Sequence, residues 1–143
     1  MLTDRVIPKE LKEKINILVV EDNLLGRKLT SFLLDKWGFH HDTVANGKLA
    51  LENLKIKQYD LILMDIQMPE MDGHQTSKYI RQKLKLGLPI IAMTSHVSEE
   101  ERKNCLSSGM NDYLGKPIIE EELYNLTVNY LFSTVVENQE NKL

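Results

Sequence analysis

The stretch INILVVEDN, Ile15 to Asn23, decides the fold. Ile15 to Val20 is almost continuously apolar, the pattern of a strand covered by helices on both faces, and it stops at two carboxylates, Glu21 and Asp22. Asn23 is a residue type that caps helices, and behind it Leu25, Leu29, Phe32, Leu33 and Trp37 recur at helical spacing, with Gly38 placed to end the helix. The same unit, a short apolar run followed by an amphipathic stretch, recurs along the chain. Further strands are predicted at Phe39 to Ala45, Leu61 to Met64, Ile90 to Met93 and Asp112 to Leu114. Further helices are predicted at Lys48 to Lys57, Gly73 to Leu84, Glu99 to Ser107 and Glu120 to Phe132, with Ser98 as an N-cap. Strands alternating with helices define an α/β fold around a parallel sheet. Phe39 to Ala45 carries His40, His41 and Asp42, which suits an edge strand.

Composition narrows the function. With 143 residues, 42% hydrophobic and 27% charged, the chain supports one core, expected over residues 15–132 between an N-terminal extension, 1–14, and a C-terminal tail, 133–143. The extension can form a loose helix around Leu11, and Val136 to Leu143 reads as a polar, frayed tail. No run approaches a membrane span, and the charged start does not resemble a signal peptide, so a cytoplasmic location is expected. Cys105 is the only cysteine, which leaves no intrachain disulfide, no thiolate zinc site and no CxxC pair; it reads as a small buried helix residue. A net charge of -3 with dispersed Lys and Arg gives no basic stripe for nucleic acid.

In an open parallel sheet the binding crevice lies outside the carboxyl ends of the strands, so the residues just past each strand matter most. Here these are Glu21 and Asp22, Asp65, Thr94 with Ser95, and Lys116. Two like charges ~5 Å apart repel by roughly 3 kcal/mol at an effective dielectric of 20, and a divalent cation relieves that. Hard oxygen ligands with room for water and a phosphate oxygen suit magnesium better than calcium or zinc. Lys116 offers positive charge and Thr94 a hydroxyl to an arriving anion, and a phosphoryl group fits both. Taken alone, Lys116 is an ordinary surface lysine and Thr94 a strand-end residue bonding its own backbone. Pro117 constrains the backbone of Lys116, and sequence alone does not fix the isomer of that bond.

Over roughly Ile15 to Leu131 the chain resembles the receiver domain of two-component response regulators. The likeness rests on ILVVEDN (Ile17 to Asn23), LILMDIQMPEMDG (Leu61 to Gly73), MTSH (Met93 to His96) and GMNDYLGKPI (Gly109 to Ile118), in the family's order and spacing. The phrasing of the second and fourth is similar to receivers of hybrid histidine kinases or single-domain regulators. The resemblance implies a flavodoxin-like, doubly wound five-stranded sheet in the order 2-1-3-4-5 with helices on both faces. It further implies Asp65 as phosphoacceptor, Asp22 as a direct Mg2+ ligand, Glu21 assisting, and the backbone carbonyl of Gln67 completing the metal set. Thr94 and Lys116 would hold the phosphoryl oxygens, and Met68, Pro69, Asp72 and Gly73 would shape the loop after Asp65. Thr94 and Tyr113 become switch residues, the Tyr113 ring turning inward as the Thr94 hydroxyl is drawn to the phosphoryl group.

The implied activity is Mg2+-dependent phosphoryl transfer from a phosphohistidine on a histidine kinase or histidine phosphotransfer protein, in a domain that assists its own phosphorylation and dephosphorylation without being a turnover enzyme. A phosphatase working through an aspartyl phosphate needs a second Asp two positions on, and that position is Gln67. A receiver reduced to a binding module would not need the full set Glu21, Asp22, Asp65, Thr94 and Lys116. A nucleotide-binding reading is weaker still, since no GxxxxGK or GxGxxG follows a strand. Two positions depart from the family pattern or fall where it varies: His74 stands where an apolar residue is usual, and His96 lies at the pocket rim. Each is read first as an exposed or hydrogen-bonded histidine, with an effect of His96 on phosphoryl lifetime as the sharper reading.

Overall fold

The computed structural model describes residues 7–141, with side chains described for 7–132. A short helix, α1 (Lys9–Glu13), contains Leu11 and precedes the sheet. The strands are β1 (Asn16–Val20), β2 (His40–Val44), β3 (Leu61–Asp65), β4 (Ile90–Thr94) and β5 (Asp112–Gly115). Between and after them lie α2 (Leu24–Trp37), α3 (Gly47–Ile56), α4 (Gly73–Gln82), α5 (Glu99–Ser107) and α6 (Glu120–Asn141). All neighbouring strands are parallel, in the order β2-β1-β3-β4-β5, the doubly wound, flavodoxin-like arrangement. β2 is an edge strand, as its histidines and aspartate required.

Alternation along the central strands builds two cores. Ile17, Val19, Leu61, Leu63, Ile91 and Met93 pack with α2 and α6 on one face. Leu18, Val20, Ile62, Met64, Ile90 and Ala92 pack with α3, α4 and α5 on the other. Ile7 is buried in the first of these cores together with Phe39 and Phe132, so the segment before β1 closes that end of the sheet.

Local chemistry fixes the helix ends. The Asn23 side chain accepts from the Gly26 backbone N–H at 2.9 Å, Ser98 accepts from that of Glu101 at 3.0 Å, and Asp72 and Gln75 form a reciprocal capping box. Gly38 ends α2 with φ of 85°, a conformation open to glycine.

The face of α2 turned to the core differs from the sequence expectation. Thr30, Leu33 and Leu34 are buried, whereas Leu25, Leu29 and Phe32 are 76%, 46% and 65% exposed. At ~100° per residue the two groups are centred roughly 130° apart on the helix, so its apolar arc is wider than the sheet can cover. Thr30, on the buried arc, escapes an apolar-only count. α6 has non-helical backbone at Phe132 (φ -127°, ψ 18°), the residue at which the sequence ends the helix, and helix resumes to Asn141. Residues 1–6 of the expected extension and 142–143 of the expected tail lie outside the described residues.

Candidate functional site

The sheet order delivers the acidic residues to one edge. β1 and β3 are adjacent and in register, so their carboxyl ends stop side by side, Glu21 and Asp22 following Val20, and Asp65 ending β3. Carboxylate oxygens of Glu21, Asp22 and Asp65 all lie within 4.8 Å of one another. Glu21 and Asp65 are buried, each 2% exposed, while Asp22 stands at the mouth.

Lys116 reaches this cluster from beyond β5. Its Nζ donates to Glu21 Oε1 and Oε2 at 2.9 and 3.1 Å and to Asp65 Oδ1 at 3.1 Å. The Gln67 backbone N–H donates to the same Asp65 oxygen at 3.2 Å. The Lys116–Pro117 bond is cis. One ammonium faces three carboxylates, and the imbalance is visible in the proton affinities of Asp65 and Asp22. Burial, reinforced by Glu21, raises the pKa of Asp65 above the usual carboxylate range against the opposing pull of Lys116. Asp22 is raised by partial burial and by Asp65. Burial works against the charge of Lys116, but Glu21 and Asp65 outweigh it and raise its pKa. An all-oxygen set with excess negative charge and a solvent-facing mouth fits a hard divalent cation of the magnesium type.

Two glycines make room. A Cβ on Gly26 would lie 2.5 Å from Glu21 Oε1, and one on Gly73 would lie 2.5 Å from the Asp65 backbone oxygen. The Gly73 N–H donates to the Ile66 carbonyl at 3.0 Å, closing the loop that carries Gln67, Met68 and Pro69 back onto β3. Gly26 and Arg27 were missed by sequence reasoning. Arg27 Nη1 donates to the Glu21 and Asp22 carbonyls at 2.8 and 3.1 Å, pinning the acidic loop. The signal available for Gly26 was a glycine in the first turn of an otherwise sound helix, where it costs up to ~1 kcal/mol relative to alanine.

Thr94 ends β4 and is buried, but its hydroxyl accepts from the His96 N–H at 3.0 Å, within its own loop. Tyr113 is half-buried on β5 against the core that includes Cys105. The His96 side chain is exposed, and His74 is hydrogen-bonded to Ser108 and Glu101. Beside the acidic cluster a cleft lined by Glu21, Gly26, Leu29, Lys116, Pro117 and Ile118 opens between α2 and the loop after β5. Among the described residues no helix is long and apolar enough to cross a membrane.

Comparison with known proteins agrees with this geometry. The family model described as response regulator receiver domain matches residues 17–127. The chain is 39% identical over 125 residues to the signal transduction histidine-protein kinase BarA of Escherichia coli, covering 87% of the chain and 14% of that kinase. It is 38% identical over 136 residues to the autoinducer 2 sensor kinase/phosphatase LuxQ of Vibrio parahaemolyticus, covering 94% of the chain and 16% of that protein. The chain thus spans a small part of the length of these relatives. Among solved structures, the receiver domain of a sensor histidine kinase from Pseudomonas aeruginosa, with a magnesium ion coordinated in its active site cleft, is 36% identical with a TM-score of 0.75, over 82% of this chain and 97% of that one. The receiver domain of the Saccharomyces cerevisiae response regulator Ssk1, co-crystallised with the histidine phosphotransfer signaling protein Ypd1, is 29% identical with a TM-score of 0.78, over 88% of this chain and 91% of that one.

Proposed function

The chain belongs to the family of response regulator receiver domains, close to the receivers of hybrid sensor histidine kinases, and from that premise we propose that it takes a phosphoryl group from a protein phosphohistidine onto Asp65 in a Mg2+-dependent step of a phosphorelay. The observation that carries this reading is the Lys116 ammonium shared between buried Asp65 and Glu21 inside a cluster of three carboxylates. Asp22, Glu21, Asp65 and the Gln67 carbonyl would hold the metal. When bound, magnesium supplies the charge that offsets carboxylate repulsion and the negative oxygens of the incoming group.

The remaining work falls to the chain. An Asp65 carboxylate oxygen forms the O–P bond as the donor's N–P bond breaks, and the freed imidazole leaves with the electron pair and takes a proton. Lys116 turns part of its hydrogen bonding from Glu21 to the phosphoryl oxygens. The Thr94 hydroxyl leaves its own loop to donate to another of those oxygens, and Tyr113 follows into the space beneath α5. Such a response is a population shift, set by how much better the phosphorylated site fits the inward arrangement. Pro117 has a structural part, holding Lys116 at the cleft. Within this reading the domain promotes formation and hydrolysis of its own aspartyl phosphate, without turnover of small substrates.

The donor's docking face is the exposed apolar arc of α2 beside the cleft. Leu24, Leu25, Leu29 and Phe32 are 55%, 76%, 46% and 65% exposed, and Ile119, next in the chain to the cleft residue Ile118, is 55% exposed. A histidine kinase or histidine phosphotransfer protein presenting an apolar helical surface fits there; no nucleic acid and no membrane insertion is involved. Leu25→Glu tests it: transfer from a phosphohistidine protein should slow at least tenfold, while phosphorylation by acetyl phosphate stays within about twofold, because docking supplies the orientation that a small donor lacks. Equal slowing with both donors would reject α2 as the docking face.

A further inference from the structure

On the far side of the sheet from α2, three side chains with metal-ligand chemistry meet between α4 and α5. Donor atoms of His74, Glu101 and Cys105 lie within 4.8 Å of one another. Glu101 and Cys105 are four residues apart and share one face of α5, while His74 is the second residue of α4. Counting cysteines ruled out a zinc site made of thiolates, but the fold assembles a mixed donor set that no sequence spacing announces.

The hydrogen bonds fix how the histidine is presented. The Ser108 hydroxyl donates to the Cys105 carbonyl at 2.9 Å, so its oxygen is free to accept from His74 Nδ1–H at 3.1 Å. In the neutral ring that leaves the Nε2 lone pair facing Glu101 Oε1 at 3.0 Å. Two acceptors in contact call for a proton or a cation between them. Cys105 Sγ points at the same carboxylate oxygen from 3.7 Å.

We propose that His74 Nε2, Glu101 and Cys105 form a binding site for a single thiophilic divalent metal of the zinc class, with water as the fourth ligand. Tetrahedral zinc with these donors needs ligand atoms ~3.3–3.6 Å apart, as follows from bonds of ~2.0–2.3 Å. The separations of 3.0 and 3.7 Å bracket that range. Sulfur and imidazole together select zinc-like ions over magnesium or calcium. One dication with one carboxylate and one thiolate is neutral, which suits a site where Cys105 is 1% exposed. Without such a charge the sulfur stays protonated, since burial, with Glu101 adding to it, pushes the thiol up to about 12. Ser108 takes the part of the outer partner that sets a ligating imidazole's tautomer and ring orientation. The side chains of His74 and Glu101 are 21% and 17% exposed, which leaves a side open to water. An occupied site cross-links α4, whose first residue packs on the Asp65 backbone, to α5, which follows Thr94.

Cobalt(II) titration of the whole chain, with Mg2+ in excess to occupy hard-oxygen sites, tests this. Because Cys105 is the only cysteine, a sulfur-to-cobalt charge-transfer band reports this site alone. The band is expected to saturate at one equivalent, to disappear on adding zinc, and to be accompanied by release of the thiol proton. Cys105→Ser should abolish it, His74→Gln and Glu101→Gln should each weaken zinc binding at least tenfold, and Asp65→Asn should leave it intact. Absence of the band at excess cobalt in folded wild-type protein would overturn the proposal, as would an unchanged band and affinity in His74→Gln. The contact between His74 and Glu101 is then an ion pair only. If Cys105→Ser does not fold, the partly exposed His74→Gln substitution decides the matter.

Discussion

Replacing Asp65 with asparagine keeps the shape of the buried side chain and removes its charge, and the surroundings of Asp65 set the sign of the effect. Glu21, buried and within 4.8 Å, repels it by about 3.5 kcal/mol or more at an effective dielectric of 20. Asp22 at the solvent-facing mouth is screened to a fraction of that value. Lys116 at 3.1 Å attracts it by about 5 kcal/mol at the same dielectric. The Coulomb contributions nearly cancel. The deciding quantity is then the desolvation of a carboxylate that is 2% exposed, a cost of several kcal/mol. Asp65→Asn is therefore expected to stabilise the metal-free protein by about 1–3 kcal/mol, measured by urea unfolding in chelator. Magnesium at a hundred times its dissociation constant should return about 2.7 kcal/mol to wild type and less to the variant, so the gap narrows or reverses. A variant less stable than wild type by about 1 kcal/mol or more in chelator would show that the Lys116 ion pair outweighs burial and repulsion, and would refute this reasoning.

At the sheet edge, Asp42 accepts hydrogen bonds from Lys57 and Tyr59, in that order of influence, and these hold its pKa below the usual carboxylate range. A lowered folded-state pKa means that its stabilisation is complete above the unfolded value of about 4 and is lost as pH falls through the folded value. In Asp42→Asn that part of the acid limb of a stability-versus-pH curve should vanish; an acid limb identical to wild type would contradict the assignment. For the switch, Thr94→Ala should leave Asp65 phosphorylatable but weaken the change in amide-exchange protection over residues 97–110 on adding a phosphoryl mimic, and Tyr113→Ala should remove most of it. Protection equal with and without the mimic in wild type would mean that no such switch operates.

How far the sequence could be read depended on whether the cause of a feature is local. Strands β1, β3 and β4 carry unbroken apolar runs, Ile17 to Val20, Leu61 to Met64 and Ile90 to Met93, because both faces are covered, and Asn23, Ser98 and Gly38 announce helix ends by chemistry within one turn. The meeting of Glu21, Asp22, Asp65 and Lys116 was legible because a parallel sheet must bring its strand ends to one side. The orientation of α2 was not, since its apolar arc exceeds what the sheet buries and only packing selects Thr30, Leu33 and Leu34. Arg27 binding back to the Glu21 carbonyl, Thr94 bonding its own loop, and His74 meeting Glu101 and Cys105 all depend on distances between elements that no spacing encodes.

The proposed role of Asp65 as a magnesium-dependent phosphoacceptor is tested most directly by intact mass measurement. Incubated with acetyl phosphate and Mg2+, the wild-type chain should gain the mass of one phosphoryl group, and that gain should be absent with chelator and absent in Asp65→Asn. A phosphoryl adduct that persists in Asp65→Asn, or no adduct in folded wild-type protein with Mg2+ present, would contradict it.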